Sequence, residues 1–357
     1  MTSPLVRCAS NARTRSAVLS SASAAINFSF ITQRLLPAVI NLPSHKPSQS
    51  RVSRSFQTVR MSSSNPANKN LTREHLFNCK DLVALVTGGG SGIGLMITQA
   101  LVANGAKVYI TGRTGEKLER VVETYSEGKD TIIPIPSDIA SKDGIKKLVG
   151  EIESRESKGL HILVNNAGIS GSTLETSAKS AEEAKKNLFD PESSTFEDWT
   201  DVYRTNVAQI FFTTTAFLPL LQKASESSPG WSSTVINVTS ISGLVKSSQH
   251  HFQYNASKAA ANHLTRMLAN EMAVGNRLLV RVNAIAPGVF PSEMTAGESR
   301  GDQKSTLPKE KYEDKIPAGR PGRDQDMAQA VLSLACNQYM NAEVIVVDGG
   351  YTIAVGR

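Results

Sequence analysis

A tyrosine and a lysine four residues apart, Tyr254 and Lys258, form the most informative pair of side chains in the sequence. They stand at the start of a predicted long helix, and a spacing of four places both on one helix face. An ordinary phenol titrates near ~10, but a cation held beside it favours the phenolate and lowers its pKa. The pair therefore predicts a group that exchanges a proton with a carbonyl or alcohol oxygen, although this spacing also arises by chance.

A glycine-rich turn at residues 87–94 predicts a dinucleotide site. The turn follows a predicted strand and opens directly into a predicted helix, so backbone N–H groups and the helix dipole point at a bound pyrophosphate. Glycine is needed where a side chain would keep the backbone away from the phosphates. The expected contacts are Gly88, Ser91, Gly92, Ile93 and Gly94.

The end of the second predicted strand bears on the choice between NAD and NADP. An NAD site places Asp or Glu about 20 residues beyond the glycine motif, to hold the ribose 2′-hydroxyl. Here Arg113 and Thr114 stand at that place and the acid is missing. A guanidinium suits a 2′-phosphate, so the sequence favours NADP over NAD. The alternative is a surface arginine at a strand end.

The strands and helices that must position these groups are predicted from an alternation of short apolar runs with longer amphipathic stretches. Strands are predicted at residues 82–86, 107–110, 131–135, 162–164, 234–238, 279–284 and 344–347. Helices are predicted at residues 94–104, 117–125, 142–153, 199–223, 254–274 and 324–334. This order is typical of βαβ units, and it predicts a single doubly wound (Rossmann) α/β domain with seven parallel strands and helices on both faces.

Two segments interrupt the alternation. Residues 170–190 are polar, with a short helix predicted at 178–187, and we interpret them as a surface insertion. Residues 290–323 are charged and rich in Gly and Pro, which is typical of a binding loop, so they are the predicted substrate lid.

The first 73 residues differ in composition from the rest. They contain ten Lys or Arg and no acidic residue; removing those ten leaves 29 basic residues against 32 acidic ones in residues 74–357. The net charge of +7 therefore belongs to this part and indicates no nucleic-acid partner.

We expect a disordered basic leader over 1–73 and a catalytic domain over 74–357. A Ser-rich, Arg-rich leader is typical of a transit peptide, which predicts the mitochondrial matrix. A disordered tail, or translation from Met61 and a cytoplasmic enzyme, are the alternatives.

Other site classes receive little support. Cys8, Cys79 and Cys336 are too few and too scattered for a disulfide framework or a zinc site. His250 and His251 lie in a polar stretch that we interpret as a solvated loop, and we expect no metal. No apolar run is long enough for a membrane span.

The order of the motifs resembles the short-chain dehydrogenase/reductase family over residues 81–352. Besides those named, the matching motifs are Asp138 after the third strand, Asn165-Asn166-Ala167-Gly168 after the fourth, Asn206 in a helix, Ser240 after the fifth, Pro287-Gly288 after the sixth and Asp348-Gly349-Gly350 near the end. Read alone, Ser240 is a capping or turn residue and Asn206 any polar helix residue.

The resemblance implies a catalytic tetrad of Asn206, Ser240, Tyr254 and Lys258. It implies that Tyr254 is the acid or base, that Ser240 bonds the substrate oxygen, and that Lys258 lowers the tyrosine pKa and binds the nicotinamide ribose. Asn206 would hold a helix kink and a water of the proton relay. Further cofactor contacts are implied at Asp138, Ile139, Asn165, Ala167, Gly168, Pro287, Gly288 and Val289. A homotetramer or homodimer, paired through the helices of 199–223 and 254–274, is implied as well.

The substrate remains a choice between classes. Residues 287–295 and 316–320 resemble the rhamnolipid-type branch of NADPH-dependent 3-oxoacyl-carrier-protein reductases, which implies a 3-oxoacyl thioester. The alternatives are another alcohol or ketone, such as a polyol, steroid or secondary metabolite, and a non-catalytic dinucleotide sensor. Two features depart from the family. The stretch 165–206 is longer by roughly a dozen residues, which the 170–190 insertion explains, and Ser91 stands where many NADP members carry a basic residue.

Overall fold

Short runs of β-branched and aliphatic residues form the strands of one parallel sheet. The computed structural model describes residues 65–356. In this range the sheet has seven strands in the order β3-β2-β1-β4-β5-β6-β7, and every pairing is parallel. The strands are β1 Val83–Thr87, β2 Lys107–Gly112, β3 Ile132–Pro136, β4 Ile162–Asn165, β5 Ser233–Val238, β6 Val280–Pro287 and β7 Val344–Val347. The predicted seven-stranded parallel sheet is confirmed.

Helices connect the strands and cover both faces. They are α1 Arg73–Leu76, α2 Gly92–Ala103, α3 Gly115–Tyr125, α4 Lys142–Arg155, α5 Ala181–Leu188, α6 Phe196–Tyr203, α7 Gln209–Glu226, α8 Phe252–Asn270, α9 Glu293–Ala296, α10 Asp324–Cys336 and α11 Tyr351–Val355. Short 3₁₀ turns occupy Pro66–Leu71, Ile241–Gly243 and Lys309–Lys311, and π-helical turns occupy Arg204–Ala208 and Glu271–Gly275.

The core consists of two apolar layers, one on each side of the sheet. The side chains of successive strand residues point to opposite faces, so the residues of β1 alternate between the two layers. Ala84 and Val86 belong to one layer, and Val83 and Leu85 belong to the other. The first layer includes residues of α2, α3 and α10, and the second includes residues of α4, α7 and α8. All five residues of β1 and all eight of β6 are buried. Burial on both faces explains the apolar run of β1, whereas β6 also contains the buried polar residues Arg281 and Asn283.

The strand order creates a crevice at the carboxyl edge of the sheet. β1 pairs with β2 on one side and with β4 on the other, so the connections that leave β1 and β4 diverge. In open α/β sheets ligands bind at such a switch point. The motifs after β1 and β4 therefore face a common space.

The two predicted interruptions differ in character. The insertion contains α5, which begins three residues later than predicted and is capped by Ser180, whose hydroxyl accepts from the Glu183 N–H at 3.1 Å. The lid has few regular turns, yet Phe290 and Ile316 are each at most 3% exposed. The Gly322 N–H donates to the Val289 carbonyl at 2.9 Å, so both ends of the lid are fastened to the domain.

Most of the predicted leader, and with it the transit-peptide prediction, lies outside the described residues. The part that is described, residues 65–73, forms the 3₁₀ turn Pro66–Leu71 and the first residue of α1. Among residues 65–356, no helix combines the length and the hydropathy that a membrane span requires.

Candidate active site

The glycine turn after β1 brings backbone close to backbone. Gly88 and Gly92 have φ of +65° and +53°, a region that favours glycine. A Cβ on Gly94 would lie 2.1 Å from the Gly88 carbonyl oxygen, so a side chain there would force the turn open. Ser91 is the N-cap of α2 but makes no side-chain capping bond within the described residues. The first N–H groups of α2 are therefore available to an anion, and the turn fits a pyrophosphate.

Asn166, which the sequence did not single out as a contact, holds this turn in place. Its side-chain amide donates to the carbonyls of Thr87 at 2.9 Å and Gly88 at 3.1 Å. The Thr87 hydroxyl accepts from the N–H groups of Asn166 and Ala167. The motif after β4 is thus bonded directly to the turn after β1. The signal was its position in that motif, next to three predicted contacts.

The side chain of the neighbouring Asn165 lies in a buried polar environment. It is 1% exposed, and its amide donates to Asn237 at 2.9 Å and Thr214 at 3.1 Å, while its carbonyl accepts from Gln209 at 3.3 Å. The structure therefore places this side chain in a buried polar network between β4, β5 and α7. It does not bring the side chain to the crevice with Ala167 and Gly168.

The ends of β2 and β3 form the other border of the crevice. Arg113 and Thr114 are exposed there, and Gly112 pairs with Pro136 of β3. Asp138 is exposed and its carboxylate accepts from the Ala140 N–H at 3.0 Å, while Ile139 is 9% exposed. An exposed cation beside this edge fits a second phosphate group.

A lysine of α3 and a glutamate of the lid form an ion pair next to the glycine turn. Lys117 Nζ lies 2.6 Å from Glu293 Oε1, and the hydroxyl of Ser299 donates to the same oxygen. These bonds, with the Lys117 bond the largest cause, lower the pKa of Glu293, and Ser91 contributes as well. A Cβ on Gly92 would lie 2.8 Å from Ser292 Cβ. Neither Lys117 nor Glu293 was predicted as a site residue, because the two partners are 176 residues apart in the sequence.

Lys258 is buried deep in the crevice. It is 5% exposed, and its ammonium donates to the Val238 carbonyl at 3.0 Å. Burial lowers its pKa to about 8. A Cβ on Gly168 would lie 3.6 Å from Lys258 Nζ, so the glycine lets the loop after β4 approach the lysine.

Tyr254 and Ser240 meet beside this lysine. Burial raises the pKa of the Tyr254 phenol, and a hydrogen bond with Ser240 acts in the opposite direction. Lys258 Nζ lies 5.6 Å from the centroid of the phenol ring. The sequence predicted a cation that lowers this pKa. In the structure burial is the largest influence on the tyrosine, and it acts upward.

Asn206 occupies the π-helical turn between α6 and α7. Its side chain accepts from the Ile169 N–H and donates to the Ile169 carbonyl, each at 2.9 Å, and donates to Ser257 Oγ at 3.0 Å. The asparagine thereby joins the loop after β4 to α8, one residue before Lys258. The π turn also interrupts the helix predicted over 199–223, which is two helices in the structure.

A second polar group supports the start of α8. Gln253, 1% exposed, donates to Asp198 at 2.7 Å and to the Ser172 carbonyl at 2.6 Å. The Ser172 hydroxyl donates to the same carboxylate at 2.9 Å. This network connects the insertion and α6 to the residue that precedes Tyr254. Sequence patterns gave no signal for it.

The turn after β6 closes the remaining side. Pro287 ends β6, the Gly288 N–H donates to the Val347 carbonyl at 2.9 Å, and Val289 is part-exposed. A Cβ on Gly288 would lie 2.7 Å from Asp348 Cα. In the described part of the chain, no three His, Cys, Asp or Glu side chains are grouped as a metal site requires.

Comparisons with known proteins agree with this architecture. A family profile described as short chain dehydrogenase matches residues 82–303. The rhamnolipids biosynthesis 3-oxoacyl-[acyl-carrier-protein] reductase of Pseudomonas aeruginosa is 37% identical over 282 residues, which cover 77% of this chain and 98% of the reductase. The short-chain dehydrogenase/reductase PhomF of Diaporthe leptostromiformis is 37% identical over 280 residues, covering 77% and 92%.

Solved structures show the same relationship. The Pseudomonas aeruginosa RhlG/NADP active-site complex has a TM-score of 0.61 at 34% identity, covering 77% of this chain and 98% of that one. A short-chain type dehydrogenase/reductase from Mycobacterium marinum has a TM-score of 0.63 at 28% identity, covering 78% and 98%. The chain therefore belongs to the short-chain dehydrogenase/reductase family and is an NAD(P)-dependent oxidoreductase acting on alcohol or carbonyl groups.

Proposed function

We propose that this enzyme is an NADP(H)-dependent reductase that converts a 3-oxoacyl thioester into the 3-hydroxy form. The observation that carries the reaction class is the meeting of Tyr254, Ser240 and Lys258 in one crevice beside the glycine turn. The proposed preference for NADP rests on Arg113. This residue is exposed at the end of β2, where an NAD site would carry an acidic residue.

Tyr254 is the proposed proton donor. Because burial raises its pKa, the phenol holds its proton at neutral pH and can give it to the substrate oxygen. Ser240 faces the phenol and donates a hydrogen bond to the same oxygen. A nicotinamide held in this crevice would supply the hydride for the carbonyl carbon.

Lys258 and Asn206 support the proton transfer. With a pKa of about 8, Lys258 is largely an ammonium at pH 7, and it stabilises the phenolate that remains when Tyr254 has given up its proton. Asn206 is the proposed positioning residue, because its side chain fixes Ile169 and Ser257 around the lysine.

The residues that would hold the cofactor surround the switch point. The glycine turn and the N-terminus of α2 would bind the pyrophosphate, through Gly88, Ser91, Gly92, Ile93 and Gly94. Arg113 and Thr114 would bind the 2′-phosphate, and Asp138 with Ile139 would border the adenine. Ala167 and Gly168 would border the adenosine half, with Asn165 contributing through the network beneath, and the Pro287–Val289 turn would border the nicotinamide.

The relatives favour a thioester substrate. Relatives from Pseudomonas aeruginosa, Chlamydia pneumoniae and Thermotoga maritima are named 3-oxoacyl-[acyl-carrier-protein] reductases. A galactitol 2-dehydrogenase of Cereibacter sphaeroides, 31% identical over 281 residues, favours the second candidate, oxidation of a polyol.

A substrate panel tests the proposal. The full chain is assayed with NADPH and NADH against 3-oxoacyl thioesters and cyclic ketones, and with NADP⁺ and NAD⁺ against polyols. We expect the highest kcat/KM with NADPH and a thioester. Turnover of a polyol without any thioester would establish the second candidate, and absence of turnover with every substrate would favour a dinucleotide sensor.

Tyr254→Phe tests the proton donor. The variant retains the ring but lacks the hydroxyl, so we expect turnover to fall by at least about a hundredfold, the usual contribution of general acid catalysis. NADPH binding should be unchanged in a fluorescence titration. Tyr339→Phe is the matched control, because Tyr339 is fully exposed. Full activity in Tyr254→Phe would refute the assigned role.

Assembly and location are proposed on separate grounds. The exposed faces of α7 and α8 support a homodimer or homotetramer. The composition of residues 1–73 supports import into the mitochondrial matrix, and N-terminal sequencing of the protein isolated from cells would locate it by the presence or loss of the leader.

A further inference from the structure

Two cysteines that are distant in sequence lie side by side in the fold. Cys79 precedes β1 and Cys336 ends α10, 257 residues later, and their sulfur atoms are 3.7 Å apart. Both are free thiols. Cys79 is fully buried, whereas Cys336 is part-exposed. One thiol is therefore open to solvent while its neighbour is enclosed beside it.

A buried arginine stands behind the exposed thiol. Arg281 of β6 is 5% exposed and donates to the carbonyls of Leu334, Ala335 and Met340. It thereby caps the end of α10, next to Cys336. Hydrogen bonding from Cys79 is the largest cause of a lowered pKa at Cys336, and the charge of Arg281 acts in the same direction. The hydrogen bond with Cys336 and burial raise the pKa of Cys79. The pair is thus unequal, with one nucleophilic sulfur and one that keeps its proton.

We propose that Cys336 and Cys79 form a reversible redox site, in which peroxide oxidises the pair to a disulfide. The Cys336 thiolate attacks one oxygen of hydrogen peroxide, the O–O bond breaks, and the departing hydroxide takes up a proton to become water. The sulfur of Cys79 then attacks the sulfenic sulfur of Cys336. The S–O bond breaks, and the hydroxyl leaves as water with the Cys79 proton. A dithiol reductant restores both thiols.

The disulfide would act on stability rather than on turnover. Cys79 lies at the amino edge of β1, and the catalytic residues lie at the carboxyl edges of the strands. The bond would join the entry to the sheet to α10, which packs in the same apolar layer as α2. Closing a loop of this length constrains the unfolded chain strongly. We therefore expect a higher thermal midpoint after oxidation and unchanged kcat.

Oxidation and mapping of the full chain test the proposal. The reduced enzyme is treated with hydrogen peroxide, remaining thiols are alkylated, and disulfide-linked peptides are identified by mass spectrometry before and after a dithiol. We expect a Cys79–Cys336 peptide that the dithiol removes, and a thermal midpoint several degrees higher in the oxidised enzyme. Alkylation of both thiols after peroxide, or a link of either one to Cys8, would overturn the proposal.

Single serine variants separate the two roles. In Cys79→Ser, peroxide should leave a sulfenic acid on Cys336 that a dimedone probe traps; in Cys336→Ser, Cys79 should remain unreactive. Cys8→Ser is the matched control and should behave as the parent. Circular dichroism checks that each variant is folded. The pH dependence of alkylation is a readout independent of oxidation. In the parent, the alkylation rate of Cys336 should increase with pH around a midpoint below 9.0, the ordinary pKa of a thiol. A Cys79 that reacts faster than Cys336 would contradict the assignment.

Discussion

At the scale of single residues, the site depends on the surroundings of its side chains. Burial changes the pKa of Tyr254 and of Lys258, and exposure leaves Arg113 accessible to a ligand. Burial pushes both Tyr254 and Lys258 toward their neutral forms. The neutral phenol can supply a proton, whereas Lys258, with a pKa of about 8, is still largely an ammonium at pH 7 and can stabilise the phenolate. Arg113 is exposed at the end of β2, where its guanidinium can contact an anion. The chemistry of this site therefore follows from burial as much as from residue type.

Arg113→Asp is expected to change the cofactor preference. The carboxylate would repel a 2′-phosphate and can bond a 2′-hydroxyl, so the ratio of kcat/KM for NADPH to that for NADH should fall by at least about tenfold, or about 1.4 kcal/mol. Steady-state kinetics with both cofactors measure it. Arg120→Asp is the matched control, since Arg120 lies on the exposed face of α3 and pairs with Glu116. An unchanged ratio in Arg113→Asp would remove the argument for NADP.

The lowered pKa of Lys258 predicts a pH dependence of stability. Between pH 8 and its ordinary value of 10.5, the unfolded chain binds a proton that the folded one has lost, so this lysine makes the free energy of unfolding rise with pH. The raised pKa of Tyr254 acts oppositely above pH 10, where the folded phenol keeps a proton that the unfolded one loses. From pH 7 to pH 10, the gain from Lys258 should be on the order of 2 kcal/mol.

Lys258→Met isolates this effect. The variant cannot titrate, so urea unfolding should show its stability relative to the parent falling as pH rises from 7 to 10. Other groups contribute equally to both proteins and cancel in the difference. Parallel curves for the two proteins would show that Lys258 keeps its ordinary pKa.

At the scale of secondary-structure elements, periodicity predicted the seven strands but not every boundary. β6 continues to Pro287, three residues past the predicted end, because β7 pairs with it there. The helix predicted over 199–223 contains a π turn at Asn206, fixed by contacts with Ile169 and Ser257 from other elements. Such contacts join residues far apart in sequence, which a local pattern does not record. The four residues of the tetrad could be named because each stands at a fixed place in the order of motifs, and their catalytic roles stay a prediction.

Pairings across the fold explain what the sequence did not reveal about the site. Lys117 meets Glu293, and Gln253 meets Asp198, only because loops from different strands converge at one edge of the sheet. Asn165 was predicted as a contact because it belongs to the motif. Its side chain lies on a buried face of the sheet, away from the crevice, because the side chains of alternate strand residues point to opposite faces.

The glycine turn gives a prediction at the same scale. In Gly94→Ala the added Cβ would lie 2.1 Å from the Gly88 carbonyl oxygen and 2.5 Å from Asn166 Nδ2. The turn must open, so we expect a lower thermal midpoint and at least about tenfold weaker NADPH binding. Gly150→Ala is the control, because nothing lies within 4 Å of its Cβ position in α4. Alanine should stabilise that helix by up to about 1 kcal/mol. Equal cofactor affinity in the two variants would contradict the role of the turn.

At the scale of the whole molecule, the outer face of α7 carries more apolar surface than the sheet requires. Phe217 and Leu221 of this helix are fully buried in the core, which satisfies its inner face. Phe211 and Phe212 remain 43% and 38% exposed, with their rings 5.4 Å apart, and Met267 of α8 is 52% exposed. Packing on the sheet therefore does not account for these three side chains. A second copy of the chain would cover them, and stable interfaces bury at least about 1,200 Å² in total.

Charge placed in this face should separate the subunits. In Phe211→Lys with Phe212→Glu, desolvating two charges would oppose association, so light scattering should give the mass of one chain, whereas the parent should give two or four. Phe189→Lys is the control, because Phe189 lies on the insertion and is 74% exposed. If the double variant kept the parent mass, the interface would lie elsewhere; if the parent itself had the mass of one chain, the exposed phenylalanines would need another partner. Because α8 carries Tyr254 and Lys258, separation of the subunits should also lower kcat if pairing of these helices holds the two proposed catalytic residues in place.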